Sequence, residues 1–237
     1  MQLGPVRFSV DPKSQAAQRP FEHKLIVRET GFRSEDSSGD VGIQEIYGAL
    51  AKNESRSRLI LDDVLSAVEE GRSPILLTER RDHLEYLAER LRGFVRHLVV
   101  LHGGMTAAQR REIGAQLAAV PDTEERLILA TGKYIGEGFD DARLDTLFLA
   151  MPISWKGTLT QYAGRLHCLY PRKREVRVFD YVDREVPLLM RMFEKRLRTY
   201  RAIGYARGEA PLGLSEPVEE HIVEYDEEAL RHFDHAT

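Results

Sequence analysis

The sequence predicts an α/β fold, a doubly wound and mainly parallel sheet flanked by helices on both faces. Five short apolar runs recur: Pro74-Ile-Leu-Leu-Thr78, Leu98-Val-Val-Leu101, Arg126-Leu-Ile-Leu-Ala130, Thr146-Leu-Phe-Leu-Ala150 and Val176-Arg-Val-Phe-Asp-Tyr181. Their length and unbroken apolarity suit strands buried on both faces. Helical periodicity fills the stretches between them. Strand and helix therefore alternate from about Asn53 to Gly204, the order of a sheet wound with crossover helices. With 42% apolar residues in 237, the chain can bury a core of this kind.

Before that region, Arg7 to Val10 and Phe21 to Arg28 read as two edge strands, and Ser34-Glu-Asp-Ser-Ser-Gly-Asp40 reads as a polar loop. After the first buried run, Leu84, Leu87 and Leu91 fall at helical spacing. After the second, Thr106 is placed to cap a helix carrying Ile113 and Leu117. Beyond Tyr181, the pattern Leu189, Met192, Phe193, Leu197, Tyr200, Ile203 makes a long amphipathic helix that stops at Gly204 or Gly208. Residues 1–52 are expected as N-terminal connecting strands and a polar loop, 53–208 as the α/β domain, and 209–237 as a poorly ordered acidic tail. A chain that opens on connecting strands also leads us to expect a preceding domain outside it.

The net charge of −4 conceals a segregation. Arg165 to Arg207 holds twelve Lys/Arg against five Asp/Glu, whereas Glu209 to Thr237 holds nine acidic residues and one arginine. The basic block is either a surface facing phosphates or a solvated helix face. No apolar run approaches the roughly 18–20 residues of a membrane span, and Met1-Gln-Leu-Gly4 lacks the features of a signal peptide. A single cysteine excludes an intrachain disulfide and favours a cytoplasmic setting.

Ligands of open parallel sheets bind beyond the carboxyl ends of the strands. Thr78-Glu79-Arg80, His102-Gly103-Gly104-Met105, Thr131-Gly132-Lys133 and the loop from Pro152 to Thr158 all follow strand ends and should cluster on one edge. The paired glycines after His102 either let a backbone approach a phosphate or simply form a tight turn. In Thr131-Gly-Lys-Tyr-Ile-Gly-Glu-Gly-Phe-Asp140, Gly136 and Gly138 flank Glu137. The adjacent Asp140 and Asp141 bind a hydroxyl or metal-bound water, or else Asp141 caps a helix. Gln161, Gly164 and Arg165 fall within about one helical turn, and Arg165 offers a guanidinium suited to phosphate. Trp155 and Tyr162 either stack on bases or pack. His167-Cys168 has the composition of a nucleophile and base, but adjacent helical residues diverge. There is no metal-ligand spacing of Cys and His, and no Gly-rich loop ending in Gly-Lys-Ser/Thr. The chain reads as one wall of a two-walled phosphate site.

These loops together resemble the second RecA-like domain, the helicase C-terminal domain, of superfamily 2 helicases of the DEAD/DEAH-box and type III restriction kind. The resemblance covers Ser55 to about Tyr205. Pro74 to His83 is similar to motif IV, Leu101 to Met105 to the following strand-contacting loop, Ala130 to Asp140 to motif V, and Gln161-x-x-Gly-Arg165 to motif VI. Gly-Glu-Gly-Phe-Asp-Asp and Gln-Tyr-Ala-Gly-Arg-Leu-His are closest in wording to bacterial helicase-like proteins of restriction and conflict systems. The resemblance implies a RecA-like sheet and an ATP cofactor whose Mg²⁺ is held by a missing N-terminal RecA-like domain. It also implies a nucleic-acid partner, DNA by preference. Thr78, Glu79, Arg80, His102, Gly103, Thr131 and Gly132 would meet the strand. Gly136, Gly138 and Asp140 would face the nucleotide, and Gln161 and Arg165 would reach its γ-phosphate as catalytic groups. Cys168 stands where the family motif carries a second arginine, so the cleft is short of one phosphate contact.

Two other readings are open. One is a non-catalytic module that grips nucleic acid or a partner through the basic block. The other is a small-molecule hydrolase using His167 and Cys168.

Overall fold

A computed structural model describes residues 20–34, 42–136, 141–153, 156–171 and 173–208. The five apolar runs form β2 (Pro74–Thr78), β3 (Leu98–Leu101), β4 (Leu127–Thr131), β5 (Thr146–Leu149) and β6 (Glu175–Val182). With β1 (Glu22–Glu29) and the short β7 (Ala206–Arg207), they make one parallel sheet in the order β3-β4-β2-β5-β6-β1-β7. Every residue of β2 and β5 is buried, because helices cover both faces and leave no solvent side on which polar residues would alternate.

On one face lie α2 (Glu54–Glu69) and α3 (Arg81–Leu91), whose Ile60, Val64, Leu84 and Leu87 pack over β-strand residues such as Leu76 and Phe148. Phe148 stacks on Phe179 at 4.5 Å between ring centres. On the other face lie α4 (Ala107–Ala119), the short α5 (Gly132–Gly136), α6 (Lys156–Gly164) with a 3₁₀ turn at Arg165–His167, and α7 (Pro187–Ala202). Leu117, Leu159, Leu166 and Tyr200 fill that side. The expected cap on α4 is present as a capping box, in which Thr106 and Gln109 each accept the other's backbone N–H. Proline opens α7, where its missing N–H costs nothing.

The segment read as an edge strand before residue 53 is placed differently. β1 pairs with β6 along its whole length, from Glu22 opposite Glu175 to Glu29 opposite Val182, and has β7 on its other flank. The charged residues of Glu-His-Lys-Leu-Ile-Val-Arg-Glu are paired along this strand. Arg28 is 3% exposed and pairs with the buried Asp63 at 2.9 Å, while Lys24 bonds Glu175. Arg7 to Val10, most of the polar loop 34–40 and the acidic tail 209–237 lie outside the described residues.

A second internal ion pair sits under α7. Arg196 donates Nε to Asp180 Oδ2 at 2.7 Å and Nη2 to Asp180 Oδ1 at 2.8 Å, and Tyr200 donates to the same carboxylate at 2.9 Å. Removing one member leaves a buried charge alone, a loss of about 3–5 kcal/mol. Arg196→Ala is expected to lower the unfolding free energy by about that amount in urea titration, whereas Arg198→Ala, on the exposed side of the same helix, should stay within about 0.5 kcal/mol of wild type.

Candidate functional site

The parallel strands direct their carboxyl ends to one edge. Thr78 lies opposite Thr131 and Leu101 opposite Ala130, so the segments 78–81, 102–106 and 131–132 leave the sheet side by side. A Cβ added to Gly104 would lie 3.8 Å from Arg81 Nη1, which places the second loop against the first. At the β6 and β1 end, the edge is covered by α1 (Ile43–Lys52), whose Ile46 and Leu50 pack with Phe32, Met151 and Leu189. The loops after β2, β3 and β4 form the uncovered part.

The passage from β5 to α6 is held at successive carbonyls. Arg56 Nη1 donates to Ala150 O at 2.6 Å, Tyr47 Oη to Pro152 O at 2.6 Å and Arg196 Nη1 to Ile153 O at 3.0 Å. Arg56 is itself paired with Asp183 at 3.1 Å, both side chains being essentially inaccessible. This clamp aims α6, on which Gln161 is exposed one turn before Arg165. Arg165 opens the 3₁₀ turn, half-buried, with Nη2 donating to Ile135 O at 3.2 Å and its buried Nε lacking a hydrogen-bond partner. Arg165 thus rests against α5, whose last residue is Gly136. Gly138 and Asp140, expected to face the nucleotide, lie outside the described residues.

The expected strand-contacting residues fall into two groups. His102 is half-buried and Gly103 exposed in the turn that His102 O closes by accepting the Met105 N–H at 3.2 Å. Arg80 reaches the surface, where it forms a two-point pair with Asp82. Thr78, by contrast, is 1% exposed, and its hydroxyl is bonded to His83 Nδ1 at 3.0 Å. The carboxylate of Glu79 turns toward Tyr162, which donates to it at 3.4 Å. Desolvation raises the Glu79 pKa, and the Tyr162 hydrogen bond only partly opposes this. Thr131 is half-buried and Gly132 buried. A Cβ on Gly132 would stand 2.0 Å from Tyr162 Oη and 2.4 Å from Glu79 Oε1. Gly132 is therefore the close approach that lets α6 meet the β2 loop.

Several open alternatives resolve toward packing. Tyr162 is 5% exposed and part of the core, and Trp155 lies outside the described residues. Asp141 caps a turn, accepting the Arg143 N–H at 3.0 Å and Arg126 Nη2 at 2.7 Å. His167 bonds Tyr205 Oη at 3.0 Å and packs edge-on against His23. The basic block is partly neutralised: Arg196 is buried on Asp180, the half-buried Arg177 pairs with Glu70 and Glu175, and the exposed Arg184 pairs with Glu29. Lys173 donates to the carbonyls of Ala142, Leu166 and Cys168 at 2.8, 3.1 and 2.9 Å, placing a cation under the end of the turn that carries Arg165. Arg56, Tyr47, Lys173 and Arg196 were not singled out from sequence as positioning residues. No spacing marks Arg56, Tyr47 and Arg196, whose partners are backbone oxygens far along the chain, and the carbonyls that Lys173 meets carry no side-chain signal.

Two tests follow from this geometry. Overpacking at Gly132 is expected to cost about 1–3 kcal/mol, so Gly132→Ala should destabilise the protein by that much. In a Tyr162→Phe background, where the nearest colliding atom is gone, the same substitution should cost measurably less. The second test concerns His83, 1% exposed, whose pKa is pushed down from 6.5 to about 3 by burial and then by Arg56. Between those values the unfolded chain binds a proton that the folded imidazole excludes. Acidification through that window favours unfolding, by about 1.4 kcal/mol per pH unit at most. Plotted against pH, the stability of wild type minus that of His83→Asn should fall from pH 6.5 downward, and a flat difference would refute the assignment.

No family model matches the sequence. Among solved structures, T4 UvsW superposes with a TM-score of 0.62 at 14% identity, covering 81% of this chain and 42% of that one. Domain 2 of the DEAD-box helicase Mss116p, bound to an RNA duplex, gives 0.54 at 12% identity over 83% of this chain and 65% of that chain. S. cerevisiae Dbp5, bound to RNA and ADP–BeF3, gives 0.52 at 11% over 88% and 44%. The chain spans less than half the length of UvsW and Dbp5. The fold is therefore the RecA-like α/β fold of these helicase structures, as the resemblance implied. In sequence, the chain is 34% identical over 85 residues to uncharacterized protein 108L of invertebrate iridescent virus 3, a match covering 35% of this chain and 75% of that protein. The chain belongs to one family with that viral protein, and its fold is the RecA-like α/β fold of the solved structures above.

Proposed function

We propose that this chain is the C-terminal RecA-like half of an ATP-dependent nucleic-acid helicase or translocase. A companion RecA-like domain, in the same polypeptide or in a complex, would carry the nucleotide-gripping loop and hold the Mg²⁺. The observation that carries the reading is the placement of Arg165. It stands in the turn at the end of α6 beside α5, with one guanidinium nitrogen held by Ile135 O. Arg165 is only partly buried, and a positioned cation that reaches the surface fits an anionic oxygen brought by a facing surface.

ATP bound on the companion would supply the phosphoryl group. Arg165 would then neutralise charge on its terminal phosphate, and the exposed Gln161 would orient there. Gly136, Gly138 and Asp140 are proposed to meet the rest of the nucleotide. Arg80, His102 and Gly103 form the accessible strand-contacting set. Glu79, exposed in the same loop, and the half-buried Thr131 join them, while the buried Thr78 and Gly132 stand behind, shaping the loops by the contacts described above. Domain closure would couple hydrolysis to strand movement. The preference for DNA and the link to restriction or defence systems rest on motif wording alone.

The test is reconstitution with the companion domain and measurement of nucleic-acid-stimulated ATP hydrolysis. Arg165→Ala is expected to lower kcat by about a thousandfold, while Cys168→Arg, which restores the motif's second cation, should raise it. Absence of stimulation even with Cys168→Arg would refute the proposal. If the chain instead gripped nucleic acid by itself, binding would show a steep salt dependence indifferent to ATP.

A further inference from the structure

Helix α7 carries a row of cations on its outer side. Its apolar positions Leu189, Met192, Phe193 and Tyr200 are buried, which leaves Arg191, Lys195, Arg198 and Arg201 exposed at steps of four, three and three residues. Residues so spaced are neighbours on a helix surface, where like charges repel. Arg81 on α3, by contrast, is paired with Glu85 one turn away. Among the described residues, none of the four cations of α7 forms an ion pair, and Glu194, the acidic residue of the helix, is half-buried. The described part of the fold supplies no counter-charge to this face.

The chain carries that charge after residue 208. Residues 209–237 hold nine Asp/Glu against Arg231, whereas residues 1–208 hold 33 Lys/Arg against 29 Asp/Glu, so a basic body is joined to an acidic tail. Seven of the nine acids lie in residues 216–228, with no Lys or Arg among them. At helical spacing, Glu220, Glu224 and Glu227 repeat the steps of four and three that separate Arg191, Lys195 and Arg198. The tail also starts beside the row. The Tyr205 N–H donates to Tyr200 O, in the last turn of α7, at 3.0 Å, and three residues on the Gly208 N–H donates to Leu25 O at 2.9 Å. From Gly208, the eight residues to Glu216 span up to about 29 Å when extended, while the row from Arg191 to Arg201 is about 15 Å long. Every cation of the row is within reach of the acidic segment.

We infer that residues 216–228 dock on the outer face of α7, their carboxylates against Arg191, Lys195, Arg198 and Arg201. Surface ion pairs are individually weak, but a short tether holds the segment at an effective concentration in the millimolar range. The docked tail closes this face to other polyanions. The inference is independent of the helicase reading and is tested on the full chain alone, by zero-length carbodiimide coupling of carboxylates to lysine amines and peptide mapping. Lys195 reports on the row, and the exposed Lys52 of α1 is the control. We expect Lys195 to couple to residues 216–228 within one chain, with little coupling at Lys52. The coupling rate should fall about fivefold or more in Arg191→Gln/Arg198→Gln/Arg201→Gln, and likewise in about 1 M NaCl. Glutamine is a good helix former, and an unchanged melting temperature checks that the triple variant is folded. Equal coupling at Lys52, or a rate that the triple variant leaves unchanged, would overturn the inference. Coupling confined to cross-linked dimers would assign the tail to a second copy and overturn it too. So would a Lys195 that never couples to the tail but is shielded from acetylation by short duplex DNA, since the row would then serve nucleic acid.

Discussion

Three donors fix the passage between β5 and α6, and the site's geometry depends on them. Arg56 comes from the α2 face, Tyr47 from the helix capping the sheet edge and Arg196 from the opposite face, and they bind the carbonyls of residues 150, 152 and 153. Each arginine is neutralised by a carboxylate near the end of β6, Asp183 for Arg56 and Asp180 for Arg196. Such pairs contribute little net stability, because desolvation of both charges offsets most of their attraction. Their effect is positional: a guanidinium with fixed charge partners has few ways to turn, so its remaining N–H groups hold a loop carbonyl in one place. The carbonyls of residues 150 to 153 are thereby fixed shortly before α6.

The sheet was legible in the sequence because its central strands are sealed on both faces. Buried runs such as Pro74 to Thr78 and Thr146 to Leu149 show as unbroken apolar stretches, and the capping box at Thr106 is a local signal of the same clarity. β1 was misplaced because its signal is mixed. Lys24 and Arg28 look like solvent-facing residues, and nothing local reveals that Glu175 and Asp63 wait to pair with them. The clamp was missed for a related reason. Arginines on helices read as solvated positions, and partners about 40 to 100 residues away leave no periodicity.

The site itself was legible in outline and not in function of each residue. The registers do bring the loops after β2, β3 and β4 together, as expected of strand ends in a parallel sheet. Within that cluster, chemistry-bearing types turn out to hold the scaffold. Thr78 closes on His83, Glu79 on Tyr162, and Gly132 is a glycine because those two side chains occupy the space its Cβ would take. Sequence motifs record residue types at spacings, and both a phosphate contact and a structural contact select small or polar residues at a crowded strand end. Only burial and partners separate the two.

The same contacts bear on how the proposed cleft and the proposed strand surface communicate. Tyr162 lies on α6 three residues before Arg165, and its hydroxyl reaches Glu79 in the loop after β2. Gly132 opens α5, whose Ile135 carbonyl holds Arg165. One junction, buried at Tyr162 and Gly132 and open at Glu79, therefore touches the loop after β2, α5 and α6 at once. Close-packed junctions of this kind do not deform continuously; a displaced Glu79 or a lifted α5 must move Tyr162 or Arg165 with it. On the proposed function, a strand pressing on the loops after β2 and β4 would bear directly on the element that aims the arginine. Lys173, fastened to three carbonyls beneath the same turn, opposes that motion from the far side, so the 3₁₀ turn moves as one piece with its cation.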